Sequence, residues 1–63
     1  MLISKQLRQT VTNFKRSELE DLLDMIGIQC YDAESDETLM FAVLSNLEDG
    51  TLTKDDILSV SSL

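Results

Sequence analysis

The chain contains no histidine, no proline, one cysteine and two glycines, and these scarcities exclude several classes of protein. Cys30 has no second cysteine to pair with, so an internal disulfide is excluded. One thiolate without histidine cannot complete a tetrahedral zinc site, and we predict neither a metal nor a cofactor. A lone thiol suits a reducing compartment, which predicts a cytoplasmic location, or the host cytoplasm if the protein is viral.

Long hydrophobic runs are also absent. The longest apolar run spans residues 39–44, whereas a membrane-spanning helix needs roughly 20 apolar residues. The apolar start of the chain is broken at once by Ser4 and Lys5, which does not fit a signal peptide. We therefore expect no membrane contact, and a length of 63 residues predicts one domain, 1–63.

Catalytic chemistry lacks its usual residues. No histidine is present to activate Cys30 or a serine. General acid–base catalysis requires a carboxylate in a desolvated cleft, which so short a chain is poorly able to build. Asp24 lies about one helical turn after Glu20 and Asp21, a spacing that acids on a solvated helix face commonly have. The sequence predicts a protein that is not an enzyme.

The residues around Gly50 do not match the pattern of a calcium-binding loop. Aligning Gly50 with the invariant glycine of an EF-hand places Leu47 and Ser45 at ligand positions. Leucine has no ligating atom, and serine is a poor first ligand. The pattern instead predicts a junction between two helices.

The charge is divided unevenly along the chain. Residues 1–17 contain no acid and four bases, a charge of +4; residues 18–63 contain all 12 acids and one base, a charge of 1 − 12 = −11. We call the first segment the basic arm and the second the acidic body. The arm either neutralises the body or contacts a partner, and the sequence leaves both open. The bases of the arm are Lys5, Arg8, Lys15 and Arg16.

Hydrophobic periodicity predicts an all-α fold of three to four short helices. The first helix runs from about residue 2 to 14, with an apolar stripe at Ile3, Leu7, Val11 and Phe14. The second helix, 18–26, has the best-defined ends. Ser17 and Glu20 have the spacing of a capping box, and Gly27 supplies a left-handed residue after the last turn.

The third and fourth helices follow a loop over about residues 29–35. Ser35, or alternatively Asp32, is predicted to cap the third helix, and Gly50 to end it. Residues 39–44 leave this helix almost no polar face, which predicts burial on most sides. A monomer this small can hardly cover such a helix, so we expect a homodimer or a groove for a partner. Thr53 and Asp56 form a second capping-box-like start for the last helix.

Residues 17–47 carry a family resemblance. A leucine-patterned helix ends in Gly27-Ile28, a loop follows, and a second leucine-patterned helix begins near Glu37. This arrangement resembles the helix–extended-loop–helix group that includes the HeH, SAP and LEM domains. The resemblance implies a helical hairpin and either DNA or a small protein as partner. DNA-binding members usually carry Lys or Arg where the second helix begins, whereas this chain has Asp36 and Glu37, which repel phosphate.

The favoured function is therefore a small acidic regulatory or inhibitor protein that binds a partner with a basic surface. One version is a nucleic-acid mimic of the phage-inhibitor type. The alternatives are a DNA-associated module that contacts phosphate through the basic arm, with nucleic acid disfavoured, and a structural subunit of an assembly. The predicted partner-binding residues are Glu18, Asp21, Asp24, Asp36, Glu37, Met40, Phe41 and Leu44.

Overall fold

A computed structural model describes residues 3–61 of the chain. This range contains four α-helices, joined by loops, and no strand. The helices are α1 (Lys5–Thr12), α2 (Arg16–Met25), α3 (Asp36–Glu48) and α4 (Lys54–Ser61). The predicted all-α class is confirmed.

Helix α1 is shorter than the predicted 2–14. It begins after Ser4, whose hydroxyl accepts a hydrogen bond from the Leu7 amide at 3.1 Å. The start predicted at Leu2 lies outside the described residues, and the helix ends at Thr12, before Phe14. The Ser4 side chain bonds to the backbone of the first turn, so Ser4 is the N-cap and not a residue inside the helix. The apolar stripe still faces inward: Val11 is fully buried, and Ile3, Leu7 and Phe14 pack against the core.

The predicted capping box of α2 was misplaced by two residues. The helix begins at Arg16, after Lys15, and the Glu18 carboxylate accepts from the Lys15 amide at 2.9 Å. Ser17 and Glu20 therefore do not form the reciprocal pair. The acid that satisfies the helix start must lie three residues after the cap, and Glu18 has that spacing from Lys15.

The end of α2 agrees with the prediction. Gly27 has φ of +82°, and its amide donates to the Asp24 carbonyl at 3.0 Å. The Ile28 amide donates to the Leu23 carbonyl at 2.9 Å, so both hydrogen bonds of a Schellman motif are formed. The connection to α3 spans residues 26–35 and is longer than the predicted loop.

Helices α3 and α4 begin directly after their predicted N-cap residues. The Ser35 hydroxyl accepts from the Thr38 amide at 3.2 Å, which selects Ser35 over Asp32 as the cap. At α4 the capping box is complete: the Thr53 amide donates to Asp56 at 3.0 Å, and the Asp56 amide donates to the Thr53 hydroxyl at 3.3 Å. Aspartate thus replaces the usual glutamate. Gly50, with φ of +88°, follows the end of α3.

One apolar core joins the helices, with α2 packed against α3 and α4, and α1 packed against α3. Within residues 3–61 no polar or charged side chain is buried, and no helix of that range is long and apolar enough to cross a bilayer. The buried core residues are Val11, Leu19, Leu22, Leu23, Leu39, Val43, Leu47, Leu52, Ile57 and Val60.

Candidate partner-binding surfaces

The apolar run of α3 is covered on one side and open on the other. Leu39, Val43 and Leu47 are only 0–3% exposed, whereas Phe41 is 72% exposed. At 3.6 residues per turn, Phe41 lies opposite the buried row. Leu39 and Val43 are the buried residues of the run, and Met40, Ala42 and Leu44 are half-buried. Phe41 stays in solvent, so the described chain covers this helix on one side and not on most sides as predicted.

Acidic side chains flank Phe41 along the same ridge. Glu37, Phe41, Leu44 and Glu48 follow one another at i, i+4, i+7 and i+11, a spacing that keeps them on one helix face. Glu37 and Glu48 are exposed, and Leu44 is half-buried. We call these four residues the α3 ridge. Its pattern of an aromatic centre between two carboxylates suits a partner with an apolar pocket and cationic edges.

Arg16 works inside the molecule. Its guanidinium donates to Glu20 at 3.2 Å and to Asp36 at 3.0 Å, and it also donates to the backbone carbonyls of Tyr31 at 3.0 Å and Glu34 at 2.6 Å. Hydrogen bonding to Asp36 raises the pKa of Arg16, against a smaller lowering by desolvation. Arg16 thus ties the start of α2 to the loop and to the start of α3, and we call this set of contacts the Arg16 clasp.

The acidic body is left largely unneutralised. All 12 acids lie within residues 3–61, and the two ion pairs in that range both belong to Arg16, with Glu20 and Asp36. The other 12 − 2 = 10 acids make no ion pair with any described residue. Apart from Arg16, no described base of the arm makes an ion pair with a described acid of the body.

The other bases of the arm are exposed. Lys5 and Arg8 lie one turn apart on α1, and Lys15 precedes α2; none makes an ion pair with a described residue. These three cations remain available to a partner, whereas Arg16 is occupied. The four-base arm of the sequence prediction thus divides into three free bases and one internal base.

An open groove of 720 Å³ lies beside the end of α2. Asp21 and Asp24 line it together with Ile28 and Cys30. Desolvation, followed by the charges of acids that include Glu20, raises the pKa of the Cys30 thiol. A raised pKa favours the protonated, unreactive thiol at neutral pH, so the groove is an acidic surface beside an inert sulfur.

The structure places the eight predicted partner-binding residues in several settings. Glu18 and Asp36 are engaged in the α2 cap and in the Arg16 clasp. Glu37 and Met40 border a hollow of 240 Å³ that also touches Val11 and Leu19. Asp21 and Asp24 line the groove beside the end of α2. Phe41 and Leu44 belong to the α3 ridge.

An exposed apolar side chain on α4 lies outside the eight predicted partner-binding residues. Leu58 is 50% exposed and, with Leu7 and Ile57, lines a hollow of 310 Å³ between α1 and α4. Because Ile57 and Val60 face inward, helical spacing already directs Leu58 outward. That signal was present in the sequence.

The turn that contains Gly50 is held by hydrogen bonds among its own residues. The Asp49 carboxylate accepts from the Thr51 amide at 2.9 Å, and hydrogen bonds from the Thr51 hydroxyl and amide lower the pKa of Asp49. Asp49 therefore organises the turn between α3 and α4 as an Asx-type turn.

Comparison with protein-family models, curated proteins and solved structures gave no match. The resemblance of residues 17–47 to the helix–extended-loop–helix group stays a prediction.

Proposed function

We propose that this chain is a small acidic protein that acts by binding a protein with a basic surface, as a regulator or inhibitor rather than as an enzyme. The observation that carries the proposal is the set of ten acids that no described base neutralises. An unneutralised surface of one sign attracts partners of the other sign and speeds their association.

Phe41 supports the choice of a protein partner. On the α3 ridge, an exposed aromatic ring between carboxylates resembles the anchors of protein interfaces, where a few large side chains fill pockets and polar groups surround them. One form of this function is a nucleic-acid mimic, in which the acidic body occupies the groove of a nucleic-acid-binding protein.

The state of the titratable groups supports binding over catalysis. The pKa of Cys30 is raised by burial and by neighbouring acids, which opposes nucleophilic use. The pKa of Asp49 is lowered by Thr51, which opposes its use as a general acid near neutral pH.

Affinity capture from the source cell tests the proposal. The immobilised protein should retain a basic protein that high salt elutes and that nuclease treatment does not release. The matched control changes four exposed acids to their amides, which keeps side-chain shape and alters the net charge from −7 to −3. These changes are Asp21→Asn, Asp24→Asn, Glu37→Gln and Glu48→Gln.

The control variant should retain much less of the basic protein. Capture that nuclease abolishes would reject the proposal, because a nucleic acid would then be the ligand. Equal retention by both columns would also reject it, because the acids would then contribute nothing.

The alternative function is a DNA-associated module, and the three exposed bases Lys5, Arg8 and Lys15 favour it. Three cations release about three counterions, so log affinity should fall with log salt at a slope no steeper than about −3. A fluorescence anisotropy titration on duplex DNA at about 0.15 M salt tests it. We expect no binding, since ten unneutralised acids oppose the contact. Sub-micromolar binding that is lost when the three bases become alanine would favour the DNA module.

A further inference from the structure

The partner of the α3 ridge is constrained by the distances between its residues. At a rise of about 1.5 Å per residue, Glu37 lies about 6 Å along the axis before Phe41, and Glu48 about 10 Å after it. Glu37 and Glu48 are therefore about 16 Å apart along the helix axis, and Phe41 is closer to Glu37. This asymmetry gives the ridge a direction.

Two ridge residues serve the fold, because Leu44 packs against the core and Glu37 lies in the first turn of α3, whereas Phe41 and Glu48 face solvent. Phe41 is 72% exposed, and neither Glu37 nor Glu48 makes an ion pair with a described residue. Acids that bond within the fold lie elsewhere, among them Glu18 in the α2 cap and Asp36 in the Arg16 clasp. An aromatic residue in solvent is unfavourable for an isolated domain and suits burial in an interface.

Charge decides between the candidate occupants. A second copy carries a net charge of −7, because its 12 acids outnumber its five bases, and a ridge-to-ridge contact would set like carboxylates against each other at contact distance. A basic protein meets Glu37 and Glu48 with opposite charge. Charge complementarity therefore favours a basic partner over self-association.

From this arrangement we propose that the α3 ridge docks onto a basic protein surface in which an apolar pocket lies between two Lys or Arg side chains. Phe41 fills the pocket, and Glu37 and Glu48 each pair with one of the cations. The inference rests on the proposed function and assigns it to one face of the molecule, in one orientation.

Photo-cross-linking in the source cell tests the site directly. The photoreactive residue p-benzoylphenylalanine replaces Phe41 in one protein and Leu58 in a control protein. Leu58 is a matched control because it is apolar and 50% exposed and lies on α4 rather than on the ridge. Circular dichroism first verifies that both proteins are folded.

Irradiation should give an adduct from position 41, joined to a partner peptide that lies among Lys and Arg residues, and little or none from position 58. Changing Glu37→Gln and Glu48→Gln together should lower the adduct yield at least about tenfold, as expected when paired interface charges are truncated. The changes Asp21→Asn and Asp24→Asn alter the net charge equally and should lower the yield less, because screening at physiological salt limits exposed charges to about 8 Å.

The affinity of the cross-linked partner gives the second readout. Phe41→Ala should weaken binding at least about 30-fold, the loss typical of an anchor residue, and Leu58→Ala should leave it nearly unchanged. An adduct with a second copy of the chain, or no adduct from position 41, would overturn the inference.

The experiments distinguish an error in the choice of the α3 ridge as the binding site from an error in the proposed function. Equal effects of the two acid pairs, with equal cross-linking from positions 41 and 58, would overturn the ridge and leave the acidic protein binder intact. Cross-linking to nucleic acid, or to a partner surface without basic residues, would reject both.

Discussion

Two residues of the same helix should respond in opposite ways to truncation. Leu39 is 2% exposed and Phe41 is 72% exposed, although both belong to one apolar run and both read as core residues by hydrophobicity alone. Replacing each by alanine tests whether the run serves the fold at one position and a partner at the other.

The expected losses follow from burial. Fully burying a phenylalanine contributes about 1.5–3 kcal/mol, and Phe41 is buried by 100 − 72 = 28%. Its burial therefore contributes about 0.4–0.8 kcal/mol by that scale, and the better helix propensity of alanine offsets about 0.5 kcal/mol of it. Phe41→Ala should change the free energy of unfolding by less than about 0.5 kcal/mol.

Leu39→Ala should be far more damaging. Leucine-to-alanine changes in a core cost about 2–5 kcal/mol, and a domain of 63 residues is stable by only about 3–9 kcal/mol. The midpoint of thermal unfolding should fall by more than about 8 °C, since each kcal/mol moves it about 4–8 °C in small domains.

Urea unfolding followed by circular dichroism measures both variants, at two protein concentrations. A loss above about 1.5 kcal/mol for Phe41→Ala would refute the reasoning, because so large a value requires a buried ring. A loss that grows with protein concentration would identify the buried state as a homodimer, which is otherwise still a prediction.

Three further changes test the local structure. Gly27→Ala should cost about 1–2 kcal/mol in urea unfolding, because φ of +82° disfavours a Cβ even where no atom clashes with it; an unchanged midpoint would contradict this. Arg16→Met should speed amide exchange in the loop between α2 and α3, whereas Lys15→Met should not; equal exchange in both would contradict the Arg16 clasp. By NMR, the carboxyl of Asp49 should titrate below its ordinary pKa of 3.8, and Thr51→Val should raise that pKa. The stabilisation by the ionised Asp49 carboxylate is present above 3.8 and is lost as pH falls through the lower pKa of the folded protein. A titration above 3.8 would contradict the assignment.

The helices were predictable because their ends are encoded locally. Ser35, the Thr53–Asp56 pair and Gly27 each satisfy backbone groups within a few residues, so spacing alone identifies them. The predicted start of α2 was wrong because two acids that are two residues apart, Glu18 and Glu20, allow alternative capping positions. The choice of Lys15 as the cap leaves Arg16 in the first turn, where it reaches Asp36.

The site was less predictable because it depends on contacts between distant residues. Sequence spacing placed Arg16 in the basic arm, and only the fold pairs it with Glu20 and Asp36. Likewise, the continuous apolar run of α3 gave no sign that Phe41 faces outward. The hydrophobic period of a helix is lost when every position is apolar, so its orientation is set by packing against α1 and α2.

The ionic-strength dependence of the association rate tests the central claim most directly. Stopped-flow mixing with the captured basic partner, from about 0.05 to 0.5 M salt, should show the association rate constant falling by about tenfold or more while dissociation changes less. The four-amide variant should show a shallower dependence. An association rate that is the same at every salt concentration, or equal for the two proteins, would contradict the account of an acidic surface that captures a basic protein.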